Sequence, residues 1–249
     1  MTVLLSDDEP VLASDFEVAY AAPNGAEVRL SLADAWSLAL EDALPVRRFV
    51  SHKGQKHLPG DWWSATTRSL VGYESWLERD HVMLLDFDQT VTGISSQPFW
   101  LFWTTQDGKS RSHAPDYFAR RRDGTGVVVD CRPVNRRRPR DLVAFAAARQ
   151  ACEIVGWEYR LEGAADPVLM RNVRWLSGYR HPRYRREQVL AALLEVFVEP
   201  VRLIDGVEQV GDPIAVLPTL FHLLWQQELA VDLSLPLHHA VPVSPPEVV

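Results

Sequence analysis

Residues 72–85 set Trp76, Leu77, Val82, Met83, Leu84 and Leu85 among Glu74, Glu78, Arg79 and Asp80, a mixture that predicts an amphipathic helix with an acidic stripe. On such a helix Glu74 and Glu78, four positions apart, share a face. Downstream the apolar runs become short and turn-bounded. They predict strands over 91–94, 99–104, 116–120 and 126–130, with Asp107-Gly108 turning the chain between two of them. An Ala-rich stretch over 139–155, with helix-start chemistry at Asp141, predicts a second helix, and 157–161 a further strand. The order helix, antiparallel strands, helix, strand describes an α/β sandwich of modest size.

Ahead of this block the chain is acidic at Asp7, Asp8, Glu9, Asp15 and Glu17, then holds a short helix-like piece over 31–44 capped by Ser31. The polar stretch 46–61, punctuated by Gly54, Pro59 and Gly60, reads as a loop leading into the main domain. After Pro167 the pattern turns helical over 168–176, 186–198 and 213–229 and closes on a strand-like tail, 230–243. Helices followed by a short hairpin outline a winged helix-turn-helix, a module for DNA or for protein, with a helical cap packed on the sheet as the alternative. The expected division is an N-terminal arm and small satellite (1–60), a main domain (61–166) and a C-terminal helical domain (167–249).

Composition narrows the class. With 249 residues, 47% of them apolar, the chain can build two linked cores. There is no charged n-region followed by an apolar h-region, and no apolar run approaches the roughly 20 residues that span a bilayer, so a cytoplasmic, membrane-free protein is expected. Two cysteines, Cys131 and Cys152, are too few for a disulfide framework or a paired-cysteine zinc site, and Cys131 reads as a small buried strand residue. The net charge of -7 argues against a nucleic-acid partner until its distribution is considered. Residues 120–140 hold eight arginines against Asp123 and Asp130, and 171–186 hold six arginines and no acid. Clustered arginines suit phosphate contacts through bidentate hydrogen bonds, and solvated loop faces are the plainer reading.

The chemistry concentrates at Asp130-Cys131-Arg132, which closes the apolar run Val127-Val128-Val129 and lies fourteen positions after Pro115-Asp116. Mg²⁺ prefers hard oxygen ligands and usually takes one or two protein carboxylates, leaving its other positions to water and substrate phosphate. Asp116 at a strand start, Asp130 at the end of its neighbour, and Glu78 or Glu74 on the flanking helix could converge on such an ion. Period-2 geometry sends Arg132 to the same face as Asp130. Each residue has a plainer role: Asp116 as a turn former, Glu78 in a surface ion pair with Arg79 or a neighbouring cation, His113, itself a candidate metal ligand, as a polar strand-edge residue, and Ser95-Ser96-Gln97-Pro98 as a strand end. Nucleophile-elbow, Walker and dinucleotide-binding strings are absent.

Trp76-Leu77-Glu78, Leu84-Leu85-Asp86-Phe87-Asp88, Gln97-Pro98, His113-Ala114-Pro115-Asp116 and Asp130-Cys131-Arg132-Pro133, taken in order, resemble the TnsA-like endonuclease subunit of heteromeric transposases, within the PD-(D/E)xK nuclease superfamily. The likeness covers about residues 60–162, and Asn172-Val173-Arg174-Trp175-Leu176 with the helices after it resembles that family's C-terminal winged-helix region. The resemblance implies a restriction-endonuclease-like α/β core with a C-terminal winged-helix-like module. It also implies an endonuclease dependent on Mg²⁺, or Mn²⁺ in its place, that cuts the non-transferred strand at transposon ends and frees 5′ ends. Implied partners are double-stranded DNA, a DDE-type transposase subunit and an ATPase regulator at the C-terminal module. Glu78, Asp116 and Asp130 would hold the metal, Glu74 is the reserve for Glu78, and Arg136, Arg137, Arg138 and Arg140 would contact DNA. The departure is Arg132, where the superfamily has lysine: arginine stays charged and cannot act as a general base. A catalytically silent binding subunit and an autonomous restriction-type nuclease are the alternatives.

Overall fold

A computed structural model of the chain describes residues 15–47, 59–105 and 107–246. These divide into two compact units, one drawn from Met1–Leu85 and Thr90–Gly163, the other from Asp86–Gln89 and Ala164–Val249. The architecture is mixed α/β, with seven α-helices among the described residues. None of those helices is long and apolar enough to cross a membrane.

The first unit runs β1 (Phe16–Ala21), β2 (Glu27–Ser31), α1 (Leu32–Ala35), β3 (Gly60–Trp63), β4 (Leu70–Tyr73), α2 (Trp76–Phe87), β5 (Val91–Ser96), β6 (Trp100–Thr104), β7 (Ser110–His113), β8 (Tyr117–Arg121), β9 (Gly126–Cys131), α3 (Pro139–Val155) and β10 (Glu158–Glu162). Two four-stranded sheets result, in the orders β10-β9-β8-β5 and β2-β1-β6-β7. In the first, β5, β8 and β9 pair antiparallel while β9 and β10 pair parallel. A parallel neighbour needs a crossover, and α3 supplies it. Small residues on that helix, Ala147, Ala148, Ala151 and Cys152, let it close on Phe118, Val128 and Trp157 in a core that also takes Phe16, Val18 and Leu101 of the second sheet. The packing leaves no room at Gly126, where a Cβ would lie 2.8 Å from Trp157 and 2.9 Å from Phe118. Gly156 ends α3 with φ +74°, a left-handed cap that glycine adopts without strain.

The N-terminal segment differs from a satellite. β1 lies between β2 and β6, with Phe16 and Val18 buried in the shared core, because inward alternation along β1 outweighs the acidic flank. Ser31 does cap α1, accepting from the Asp34 N–H at 3.2 Å, but α1 is only four residues long and a separate 3-10 turn follows at Leu40–Asp42. Helix α2 begins at Trp76, so Glu74 precedes it and shares no helical face with Glu78.

The second unit contains α4 (Pro167–Ser177), α5 (Glu187–Val196), β11 (Val201–Arg202), α6 (Leu203–Val210), α7 (Pro213–Trp225) and β12 (Pro242–Val243), with β11 and β12 antiparallel. Asp166 caps α4 by accepting from the Val168 and Leu169 N–H groups, each at 2.9 Å. The tail expected to be strand-like over 230–243 forms a strand only at Pro242–Val243, with an isolated bridge between Ala230 and Ser244. Helix α7 buries Val216, Leu220, Leu223, Leu224 and Trp225 and carries no Lys or Arg.

Candidate active site

Asp116 stands at the entrance to β8. Its Oδ2 accepts the Cys131 N–H of neighbouring β9 at 2.7 Å. Its carbonyl accepts the Gln97 N–H at 2.8 Å, and the Gln97 carbonyl accepts the Val46 N–H at 3.0 Å. Gln97 reaches both through a left-handed backbone, φ +47°, a conformation that side-chain-bearing residues hold only when their surroundings impose it. Its side chain is buried, and among the described residues neither carboxamide atom has a partner. A strand-end reading of Ser95-Ser96-Gln97-Pro98 places β5 correctly but misses this brace.

Glu78 is committed to its own helix. Ser75 donates through Oγ to Glu78 Oε1 at 2.7 Å, and the Glu74 N–H donates to Oε2 at 2.7 Å. In return the Glu78 N–H donates to Ser75 Oγ at 3.2 Å, a variant of the capping box. The expected pairing with Arg79 is absent; Arg79 instead meets Asp80 and lies over the Trp76 ring. Glu74 pairs with Arg47 at 2.7 Å, a contact no motif announced.

Asp130, buried near the end of β9, has both carboxylate oxygens 2.9 Å from His113 Nε2, and its Oδ2 accepts the Tyr159 hydroxyl at 2.7 Å. A carboxylate only accepts, so this geometry assigns the proton to Nε2. His113 is thus an edge-strand residue with a specific task, linking β7 to β9. Tyr159, on β10, is a partner that sequence spacing did not reveal. Burial, reinforced by Asp130, pushes the Tyr159 hydroxyl well up, so it remains a donor.

These groups line one cavity of about 350 Å³, with Arg47, Glu74, Glu78, His113, Asp116, Asp130, Cys131 and Arg132 in its wall. The carboxyl of Asp116 is held well above the usual carboxylate range, first by burial and then by the charges of Glu78 and Asp130, against the Cys131 N–H. Burial raises Glu78 as well, opposed by its Glu74 and Ser75 hydrogen bonds. Cys131 closes β9 as the small strand residue expected, part-buried rather than fully buried, and lines the cavity. Burial and then Asp116, Glu78 and Asp130 raise its thiol, which therefore stays protonated.

Sharing a cavity is less than converging on a point. Among the described residues no group of three or more His, Cys, Asp or Glu side chains is arranged to hold a metal ion. The cause is visible: Glu78 turns back to cap α2, and Asp130 is engaged by His113 and Tyr159. The donor chemistry nonetheless fits Mg²⁺ in kind. The oxygens are hard, an ionised carboxylate keeps lone pairs beyond those already used, and Mg²⁺ takes only one or two such groups from a protein.

Arg132, just past β9, also lines a second recess of about 500 Å³ with Arg136, Arg137, Arg138, Arg140 and Asp141, so the four arginines expected to contact DNA meet in one place. Arg137 braces the wall, donating to the carbonyls of Arg132 at 3.2 Å and Leu161 at 3.4 Å. Elsewhere in 120–140 the arginines serve the fold: Arg120 binds Glu41 and the Leu38 carbonyl, and Arg121 pairs with Glu158 at 2.7 Å. In 171–186 Arg185 pairs with Glu228 and Arg186 donates to the Ala215 carbonyl. No family model matches this chain, and no curated protein matches it significantly.

Proposed function

We propose that this chain is a metal-dependent DNA endonuclease acting as the strand-cutting subunit of a heteromeric transposase. The observation that carries the reading is the gathering of Glu78, Asp116, Asp130 and Arg132 around one cavity at the ends of β8 and β9, adjoining a recess of arginines. The order helix, three antiparallel strands of one sheet (β5, β8 and β9, with β6 and β7 passing to the other sheet between them), helix, parallel strand over α2 to β10 supports a PD-(D/E)xK core. Asp116 would be the principal ligand for Mg²⁺ or Mn²⁺, and the lone pairs left on Glu78 or Asp130 would supply a second carboxylate. When bound, a divalent cation supplies an activated water and shields charge on the phosphoryl oxygens. Arg132 holds a permanent positive charge beside the reacting phosphate and stabilises its equatorial oxygens without taking a proton. His113 and Tyr159 orient Asp130.

In this reading the non-transferred strand is cut at transposon ends, and a DDE-type transposase subunit acts on the other strand. From α5 to β12 the second unit runs helix, strand, helix, helix, strand, an order compatible with a winged helix, but its last helix is apolar and carries no Lys or Arg, which favours protein over DNA as its partner. Trp175, 55% exposed, and Ile214, 85% exposed, support a contact there with the ATPase regulator. The test is nicking of transposon-end duplex in Mg²⁺ or Mn²⁺ with the partner subunit present. Asp116→Ala should abolish cutting while leaving the circular dichroism unchanged. Wild-type cutting by that variant would remove the catalytic assignment.

A second reading, a silent DNA- or partner-binding scaffold, is favoured by one specific observation: Glu78 and Asp130 are already satisfied by protein donors. It predicts no binding of Mg²⁺ or Mn²⁺ even with DNA present.

A further inference from the structure

The recess at the start of α3 brings five guanidinium groups to one concavity and gives them a single carboxylate, Asp141. That carboxylate pairs with two of them and offsets only one of their five charges. Its closest approaches, 3.8 Å to Arg132 and 3.6 Å to Arg140, are beyond hydrogen-bond length. Its Oδ2 also accepts the Arg138 N–H at 3.2 Å as part of the helix start. Arg136 and Arg138 are exposed and, among the described residues, have no carboxylate partner. The scaffold around them is stiff: Pro133 and Pro139 restrict the backbone on either side, and Arg137 is tied to two carbonyls. Like charges gathered at a concave surface, around a single outnumbered acid, make an anion site.

We infer that this recess seats a phosphodiester of the DNA strand next to the one cut in the carboxylate cavity, and that Asp141 is an internal counter-ion which the DNA phosphate outcompetes. The inference rests on the endonuclease reading and adds to it. Arg132 lines both cavities, so one strand passing from cavity to recess keeps a guanidinium beside two successive phosphates. A volume near 500 Å³ admits a phosphodiester with part of its nucleoside. Arginine presents paired N–H donors that match two phosphate oxygens, and Asp141 makes no hydrogen bond to them.

The experiment measures binding of a fluorescent duplex to the full-length chain by anisotropy across a salt series, with EDTA present so that no cutting occurs. Arg136→Gln with Arg138→Gln should weaken binding and lower the slope of log affinity against log salt by about 0.9, the share of the one phosphate contact the recess makes. Asp141→Asn, which can still accept the Arg138 N–H, should tighten binding several-fold, a gain that misfolding cannot produce. Wild-type affinity and slope in the double variant, or no gain in Asp141→Asn, would overturn the inference. A melting shift with inorganic phosphate that the double variant loses, alongside an unchanged DNA slope, would assign the recess to free phosphate and also overturn it. The catalytic reading fails separately: it is the Asp116→Ala nicking result that decides it, whatever the anisotropy gives.

Discussion

Asp116 is caught between a burial that disfavours its charge and two neighbouring carboxylates that repel it. Its folded-state pKa lies above the value of about 3.9 it has in an unfolded chain. Between those two values the folded chain keeps a proton that the unfolded chain has released, so stability falls as pH rises through that window and the penalty is complete above it. Asp116→Asn keeps an acceptor for the Cys131 N–H and discards the charge. Without metal, the variant should therefore melt higher than the parent at neutral pH. A gain of a few degrees is expected, at about 2–4 °C per kcal/mol for a chain of this size. The two proteins should converge below about pH 4. Calorimetric melting in EDTA across pH measures this; a variant that melts at or below the parent at pH 7 would mean that Asp116 is not in conflict with its surroundings. The conflict also suits a ligand site, since a divalent cation relieves it where a proton otherwise must.

At the level of elements, the site depends on how β5 ends. Gln97 holds the Asp116 carbonyl and the Val46 N–H from one left-handed residue, so a substitution there reads directly on the cavity wall. Gln97→Gly should keep the fold and the nicking rate near wild type, because glycine adopts positive φ freely. Gln97→Val should lower Tm and activity together, since a β-branched residue at positive φ is a genuine outlier. Equal Tm for the two would show that the backbone there is not constrained as described. This brace was not legible in the sequence, because a left-handed glutamine has no compositional mark. Regular elements were legible wherever periodicity was strong: α3 spans Pro139–Val155, the stretch its Ala-rich pattern predicts, and β9 follows the valine run. β7 was missed because Ser110, Arg111, Ser112 and His113 carry no apolar alternation, and α6 because eight residues give barely two turns of pattern. At the site, spacing brought Asp116, Asp130 and Arg132 to one cavity but could not foresee that Glu78 and Asp130 would spend their oxygens on Ser75, His113 and Tyr159. Such bonds depend on rotamers and on strands distant in sequence.

On the scale of the molecule, a net charge of -7 coexists with one concentrated basic recess, since many other arginines are matched within the fold. DNA attraction should accordingly be local and steeply salt-dependent, with little long-range steering. In the proposed function cutting is read in an assembled transposase, whereas cation binding would need only this chain and a DNA duplex, and so tests the central claim most directly. Calorimetric titration of Mg²⁺ and Mn²⁺ into the full-length protein on a transposon-end duplex should give saturable binding that Asp116→Asn loses. Absence of binding, or equal binding by parent and variant, would contradict the account.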